Sequence, residues 1–409
     1  MHFITKTSKY WFYLHPTVYI SLKVNVLLYN TNSNRTLIIY DNSLFTIFES
    51  LLDISNMGVV LVDRHVVESD VIKKIIREDF GVAISWDKMP EKPSILPMMN
   101  KVNIDFDRDY KGSAYEYLLN KDVSKYLLNL SIIHNVHTNS NCAKYFMPQF
   151  GANNNRTNLV INDTTLIEIL TQIEYFPISR IKIIADQIYS PYLTNIEDVI
   201  RKIRSKNKEV ILSTNIKDFR YKTIHSDIQY ELIIDSYLAT AELENALTQS
   251  KIAVCSYCFI IKNEIEYEKA IDLIEKYGIE NYRLFPYYNG TNRQFISEIL
   301  TVEEKDLFIR PITMKEIYRN TKINSNLFGY MLITPDGEIY ANEYSPKIGN
   351  IKERPILKCI LSEIMSRSSW RHTRDFPKCQ KCLFQYLCPP PISYETLLDI
   401  TDKCKAYTE

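Results

Sequence analysis

The sequence predicts an α/β protein in which a small N-terminal domain precedes a parallel sheet and a cysteine-rich tail. Apolar runs alternate with helical patterns from residue 127 onward, at intervals of about 25 to 30 residues, as in βα units. Short strand patterns followed by helical patterns occupy residues 10–87. Four of the eight cysteines lie at or after residue 379.

Length and composition exclude several classes of protein. A chain of 409 residues is long enough for two or three domains. Lys and Arg together number 49 and Asp and Glu together number 49, which argues against an electrostatic nucleic-acid or membrane binder. No run of about 18 apolar residues predicts a membrane span, and the N-terminus has no apolar signal-peptide core. We therefore expect a cytoplasmic protein, where clustered cysteines bind metals more often than they form disulfides.

The first 89 residues are predicted to form a winged-helix-like domain. Strands are expected over 17–23, 26–30 and 35–40 and helices over 44–52 and 71–80, the second capped by Ser69. Basic and acidic residues balance along the second helix, which does not favour DNA recognition. We expect instead that an extended peptide is added between the edge strand over 37–40 and this helix. The alternative is that the domain is a plain structural cap. The residues predicted to bind peptide are Leu37, Ile38, Ile39, Tyr40, Ile72 and Ile76.

A proline-rich linker over 90–126 leads into a predicted partial α/β barrel over 127–310. The candidate strands are 128–134, 180–186, 209–215, 231–236, 252–261 and 282–287; the candidate helices are 164–173, 195–205, 240–250 and 264–277. Ligands of parallel sheets lie at the carboxyl ends of the strands. The residues at those ends are Asn135, His137, Asp186, Gln187, Asn215, Asp235, Tyr287 and Tyr288.

The tail over 311–409 carries the most specific pattern. Cys379 and Cys382 form a Cys-x2-Cys pair, and Cys388 and Cys404 follow. A Cys-x2-Cys turn with two further thiolates predicts a zinc or iron–sulfur site, and the spacing does not separate the two. The alternatives are disulfides or core cysteines. Of the other four cysteines, Cys255, Cys258 and Cys359 lie in apolar patterns that are typical of a core.

The order of domains and the tail resemble a radical SAM protein with a SPASM domain from a peptide-maturation (RiPP) system. The Asp336-Gly337 hairpin signal followed by Gly349-Asn350 is similar to the entry of a SPASM domain. The resemblance implies a partial (β/α)6 barrel of radical SAM type. It also implies that the N-terminal domain recognises a ribosomally made precursor peptide.

This chain departs from the pattern of that family. The resemblance implies a CxxxCxxC triad after the first barrel strand, where only Cys142 occurs; His134 and His137 are weak alternative metal ligands beside it. Asn342 and Ile392 stand where one auxiliary cluster would have cysteines. The chain therefore resembles a catalytically degenerate pseudo-radical-SAM protein, of the kind found in Bacteroidales-like bacteria.

The resemblance implies an adaptor that binds a precursor peptide or an active radical SAM partner, rather than an enzyme. It implies one [4Fe–4S] cluster on Cys379, Cys382, Cys388 and Cys404, with zinc as the alternative and no SAM expected. Two other functions stay open at this point: an enzyme that uses another cofactor and one remaining cluster, and a zinc-stabilised binding module. We expect no nucleic-acid or membrane partner.

Overall fold

The structure is a computed structural model. It describes residues 9–95, 122–136, 142–148, 159–185, 208–219, 229–235, 241–250, 255–301, 303–366 and 369–398. His137, Asp186, Gln187, Cys404 and the predicted helix over 195–205 lie outside these ranges. Within them, no helix has the length and apolar character needed to span a membrane.

Two three-stranded antiparallel sheets make up the N-terminal part. Its strands are β1 (Lys9–Leu14), β2 (Val18–Leu22), β3 (Val26–Asn30), β4 (Arg35–Ile39), β5 (Val59–Asp63) and β6 (Gly81–Ser85). The sheet orders are β5-β1-β6 and β2-β3-β4. Three helices connect them: α1 (Phe45–Leu52), α2 (Arg64–Val67) and α3 (Asp70–Arg77). The predicted elements are present, and the structure adds strands β1, β5 and β6 and the short helix α2.

Local chemistry explains where these helices begin. The Ser69 side chain accepts a hydrogen bond from Ile72 N at 3.3 Å and so caps α3, as predicted. Asp41 accepts from Ser43 N at 2.9 Å and opens the turn that leads into α1. The buried faces of both helices and of both sheets meet in one apolar core, which includes Phe12, Leu28, Phe48 and Ile72.

The predicted parallel sheet is also present. Its strands are β7 (Asn129–Val136), β8 (Leu159–Val160), β9 (Arg180–Ala185), β10 (Glu209–Asn215), β11 (Gln229–Ile234), β12 (Cys255–Ile261), β13 (Tyr282–Pro286), β14 (Tyr330–Ile333), β15 (Glu338–Tyr340) and β16 (Lys347–Asn350). The order is β13-β12-β11-β10-β9-β7-β14-β15-β16, with β8 paired to β7. All neighbours from β13 to β14 are parallel, whereas β8, β15 and β16 join in antiparallel pairs.

Helices follow the strands in sequence. They are α4 (Asp163–Ile173), α5 (Ala241–Ser250), α6 (Glu264–Tyr277), α7 (Arg293–Ile299), α8 (Glu304–Leu307), α9 (Met314–Asn320), α10 (Ile356–Ser366), α11 (Pro377–Lys381) and α12 (Ser393–Leu398). Asn263 caps α6 at its start, and Gly278 ends it with a φ of 59°.

The two faces of the large sheet differ, because successive side chains of a strand point to opposite sides. Ile183, Leu232 and Phe259 lie on the face that packs against helices in the largest core. On the second face, Ile184, Ile233 and Cys258 pack against a short helical turn, Ala143–Phe146. This second face also carries the charged residues described below.

The predicted hairpin at Asp336-Gly337 joins β14 to β15. Gly337 has a φ of 83°, and a Cβ atom added there would lie 2.7 Å from Ile351 Cγ2. Gly290, in a loop, has a φ of 91° and no atom within 4 Å of an added Cβ. An alanine at either position would strain the backbone, but only an alanine at Gly337 would also overlap a neighbouring atom.

We predict that Gly337→Ala destabilises the protein by about 2 to 4 kcal/mol, from left-handed backbone strain together with overpacking. Gly290→Ala should cost only the backbone part, about 1 to 2 kcal/mol. Urea denaturation followed by circular dichroism measures both. Equal losses in the two variants would show that Ile351 does not restrict the turn.

Candidate functional site

The hydrogen-bonding direction of each residue in the β2-β3-β4 sheet follows from its pairing. Thr31 N donates to Thr17 O at 3.0 Å, one step beyond the register of β2 with β3. Hydrogen-bonded pairs alternate with non-bonded pairs in an antiparallel ladder. The odd-numbered residues of β3, Leu27 and Tyr29, therefore bond to β2.

The even-numbered residues of β3 must bond to β4, where their partners are Arg35, Leu37 and Ile39. The main-chain N–H and C=O groups of Thr36 and Ile38 consequently point away from β3. In the part of the chain that the structure describes, β4 has no strand on that side. This row of main-chain groups is an open sheet edge of the kind that accepts an added strand.

The six residues predicted to bind peptide do not form one surface. Three lie in the N-terminal core, one faces a cluster of C-terminal residues and two are exposed, in this order: Leu37, Ile39 and Ile72; Ile38; Tyr40 and Ile76. Most apolar side chains of the edge strand are buried in the core of its own domain. Its open side offers main-chain groups, and of the six predicted residues only Tyr40 and Ile76 are exposed.

The end of helix α3 lies beside the start of β4. The guanidinium carbon of Arg35 lies 5.8 Å from the centre of the Phe80 ring. Asn30 Nδ2 donates to Asp79 O at 3.2 Å, which fixes the turn before β4 to the residues after the helix. These contacts bring the residues that follow the helix to the start of β4, and a peptide site between this strand and this helix stays a prediction.

The opposite edge of the same sheet is closed. Strand β2 is buried over Val18–Ser21, and the cavity beside it is lined by Leu51, Ile95 and Tyr318 among others. Because Val18–Ser21 are buried, the outer main-chain groups of β2 are not accessible to a peptide, and β4 is the available edge.

The tail cysteines lie in packed surroundings. Cys388 belongs to an apolar cluster with Leu383 and Leu387, and Cys382 packs against that cluster. Cys379 lies in α11 and is buried. Cys379 and Cys388 both interact electrostatically with Arg374, whose pKa is raised: burial opposes this shift, but the two thiols and Glu395 outweigh it.

The segment where the family pattern would have three cysteines contributes to the core. Cys142 is fully buried, and its Sγ lies 3.7 Å from Ala185 O. Tyr145 and Phe146 follow it into the same cluster on the second face of the large sheet. His134 is buried in β7.

An ion cluster occupies the second face of the large sheet. Glu231 on β11 forms ion pairs with Lys182 on β9 and with Arg283 on β13, the latter at 2.8 Å. Ser213 Oγ donates to Glu231 Oε2 at 2.7 Å. The Phe146 ring covers the cluster, with its centre 4.7 Å from Lys182 Nζ and 5.5 Å from the guanidinium carbon of Arg283. The arrangement joins three strands that are not adjacent.

Burial and charge act in opposite directions on this cluster. Burial by itself would raise the pKa of the Glu231 carboxyl, but the charges and hydrogen bonds of Lys182 and Arg283 outweigh it and leave the pKa well below its usual range. Burial, followed by the charge of Arg283, lowers the pKa of the Lys182 ammonium. Burial raises the pKa of the Cys258 thiol to about 11, so this thiol is neutral at pH 7.

Polar residues predicted at the carboxyl ends of the strands do meet. Asn215 Nδ2 donates to Asp235 Oδ1 at 3.1 Å, and Tyr145 OH donates to Asp235 Oδ2 at 3.2 Å. The rings of Tyr145 and Tyr287 pack edge to face with centres 4.8 Å apart. Asn135 is buried at the end of β7. The structure therefore brings together Asn215, Asp235 and Tyr287 from the predicted set.

The prediction from sequence does not include Tyr145, Lys182, Glu231 or Arg283. Each is one polar or aromatic residue within or beside an apolar strand, a pattern common in any sheet. The three charged residues are offset by two positions in register from one alternate strand to the next. Their proximity therefore requires both the strand order and the register to be known.

Comparison with known proteins yields structural similarity only. No protein-family profile matches the sequence, and no curated protein does. The chain is similar to Streptococcus suis SuiB bound to S-adenosylmethionine, with 12% identity, coverage of 97% of this chain and 99% of that chain, and a TM-score of 0.46. It is similar to anSMEcpe with bound AdoMet, with 12% identity, coverage of 64% and 84%, and a TM-score of 0.44. BtrN in complex with AdoMet and 2-DOIA matches with 11% identity, coverage of 64% and 92%, and a TM-score of 0.31.

The cofactor prediction is wrong as stated. It comprised an iron–sulfur cluster or zinc on four cysteines and no SAM, whereas the similar structures named above contain SAM. Among the described residues, no three His, Cys, Asp or Glu side chains are grouped so that they could hold a metal ion. Cys388 and Cys382 pack with apolar side chains of the C-terminal cluster. Cys404 lies outside the described residues.

We predict that Glu231→Gln destabilises the protein by about 3 to 5 kcal/mol, because it leaves the buried Lys182 charge without its carboxylate. Urea denaturation at pH 7 measures the loss. Glu244→Gln is the matched control, since Glu244 pairs with Lys276 at 2.9 Å on an exposed surface. That variant should change the stability little. A Glu231 variant as stable as the control would show that the cluster adds no stability.

The stability difference between the native protein and Glu231→Gln should depend on pH. The folded-state pKa of Glu231 is depressed, so its stabilisation is fully present above the ordinary pKa of about 4.3 and is lost as the pH falls below it. The stability difference between the native protein and Glu231→Gln should therefore shrink between pH 5 and pH 3. A constant difference would contradict an ionised Glu231.

Proposed function

We propose that this chain is an adaptor that binds an extended peptide as an added strand on β4. The observation that carries the proposal is the outward row of main-chain groups at Thr36 and Ile38. Such a row gives affinity through main-chain hydrogen bonds, and neighbouring side chains give specificity. Of the residues predicted to bind peptide, Tyr40 and Ile76 are the two that are exposed.

In this proposal the peptide is a ribosomally made precursor, and the adaptor presents it to a radical SAM partner for modification. The support is the sequence pattern given above: a recognition domain over 1–89, a linker over 90–126, a partial barrel over 127–310 and a SPASM-like tail over 311–409. The resemblance implies three cysteines for the cluster that cleaves SAM, and the single cysteine of the corresponding segment, Cys142, favours an adaptor over a protein that performs the radical step itself.

The proposal can be tested without knowing the natural peptide. A display library of random twelve-residue peptides is selected on the immobilised full-length protein, and enriched peptides are synthesised with a fluorescent label. Fluorescence anisotropy then gives the dissociation constant. N-methylation of the peptide, one residue at a time, should weaken binding at every second position, since alternate amides of an added strand bond to β4.

We predict that Thr36→Pro lowers the affinity for such a peptide about 5- to 150-fold. It removes an outward N–H and leaves a peptide carbonyl without a donor, at a cost of about 1 to 3 kcal/mol. The inner ladder to β3 does not use this group, and proline is tolerated on sheet edges. Thr36→Val is the matched control and should bind normally.

Two results would contradict the proposed site. One is the absence of any enriched peptide relative to an unrelated protein. The other is equal affinity of the Pro and Val variants, once circular dichroism has shown that both are folded.

A further inference from the structure

The two faces of strand β4 belong to different parts of the chain. Leu37 and Ile39 point into the N-terminal core. Ile38 points to the other face and packs against a cluster of C-terminal residues that includes Phe384 and Leu387. A strand added to β4 would continue this alternation, so every second side chain would point toward the C-terminal side.

The C-terminal residues are fixed to this sheet by specific bonds. Tyr29 OH accepts a hydrogen bond from Ile312 N at 2.7 Å and donates to Asn34 Oδ1 at 2.9 Å. Asn34 Nδ2 donates to Phe308 O at 3.0 Å, directly before β4 begins. The rings of Tyr29 and Phe308 have their centres 5.6 Å apart.

This C-terminal cover ends at β4. Tyr19 on β2 and Tyr29 on β3 are buried beneath it, whereas Ile38 is half-buried and Thr36 is exposed. Beside that boundary, Ile309 is 81% exposed. It follows Phe308 directly in the chain, so it lies close to the start of β4.

An exposed isoleucine alone is common on protein surfaces. What distinguishes Ile309 is that the chain on both sides of it is held. Before it, Phe308 O accepts from Asn34 Nδ2, and after it, Ile312 N donates to Tyr29 OH. A side chain presented by fixed neighbours loses little conformational entropy when a ligand covers it.

We propose that Phe308–Arg310 forms a second wall of the peptide groove, and that Ile309 contacts an apolar side chain of the added strand. The inference rests on the proposed function and specifies it: the bound peptide is extended and carries an aliphatic or aromatic residue that faces the C-terminal part of this chain. The peptide would thus touch both parts of the protein, with β4 reading its main chain and Ile309 reading one side chain.

The test uses the peptide enriched on the native full-length protein. Ile309→Ser should weaken its binding about tenfold, because an apolar contact is lost. The matched control is Ile265→Ser, since Ile265 is 64% exposed on α6 in the large α/β part. That variant should bind as the native protein does. Both substitutions are on the surface, so both proteins should fold.

A peptide scan locates the contact. Each apolar peptide residue is replaced by alanine and measured against the native protein and Ile309→Ser. We expect one position at which the alanine peptide loses affinity for the native protein and loses little for the variant. Any further peptide position that couples to Ile309 should lie two residues away from it, because alternate side chains of a strand point to the same side.

The outcomes separate this inference from the proposed function. Loss of binding in Thr36→Pro together with equal affinities of Ile309→Ser and Ile265→Ser would overturn the second wall and leave strand addition standing. The absence of any Thr36-dependent peptide would overturn the proposed function itself. Coupling between Ile309 and peptide residues at every position would also overturn the wall, since a strand presents only alternate side chains to it.

Discussion

The middle strand β3 is buried on both faces and hydrogen-bonded along both edges. This constraint determines which surface of the N-terminal part stays available. Leu27, Leu28 and Tyr29 are fully buried, in two different clusters, while both edges of the strand are bonded to neighbours. A shift of one residue would exchange the two faces and put Tyr29 into the wrong core. The register is therefore fixed, and with it the row of main-chain groups that β4 directs outward.

Much of the fold follows from local patterns. The helix over Asp70–Arg77 combines a serine cap with apolar residues at helical spacing, and both signals lie within one short stretch. Six strands of the large sheet, β7 and β9 to β13, are apolar runs bounded by polar residues, and they lie where the sequence predicts them. The parallel pairing of β14 with β7 was not predicted. These elements can be predicted from sequence because the pattern of apolar residues that marks their buried faces is contained in the element itself.

The site depends on relations that no short stretch contains. The apolar residues of β4 indicate an interaction surface, but Leu37 and Ile39 are taken by the core of their own domain. Lys182, Glu231 and Arg283 come from three strands, and their contact requires the strand order. The cysteine spacing near residue 379 predicts metal ligands, but the described residues contain no group of three His, Cys, Asp or Glu side chains that could hold a metal ion. The ion cluster itself is an expensive way to fill a sheet face, since buried charges lose more hydration than their attraction returns unless the geometry is good.

The pairing of β14 with β7 has a consequence for how the protein folds. Leu128 N and Asn129 N both donate to Gly329 O at 2.8 Å, so residues that are far apart in sequence meet at the start of these strands. At a synthesis rate of about 5 to 20 residues per second, the edge of β7 waits roughly 10 to 40 s before β14 has been made. Contacts of such long sequence separation also slow folding, because the closure of the loop precedes any gain from the contact. During that interval the growing chain exposes an unpaired edge of parallel sheet. At this stage of folding, pairing of the edge with another chain competes with formation of the native structure.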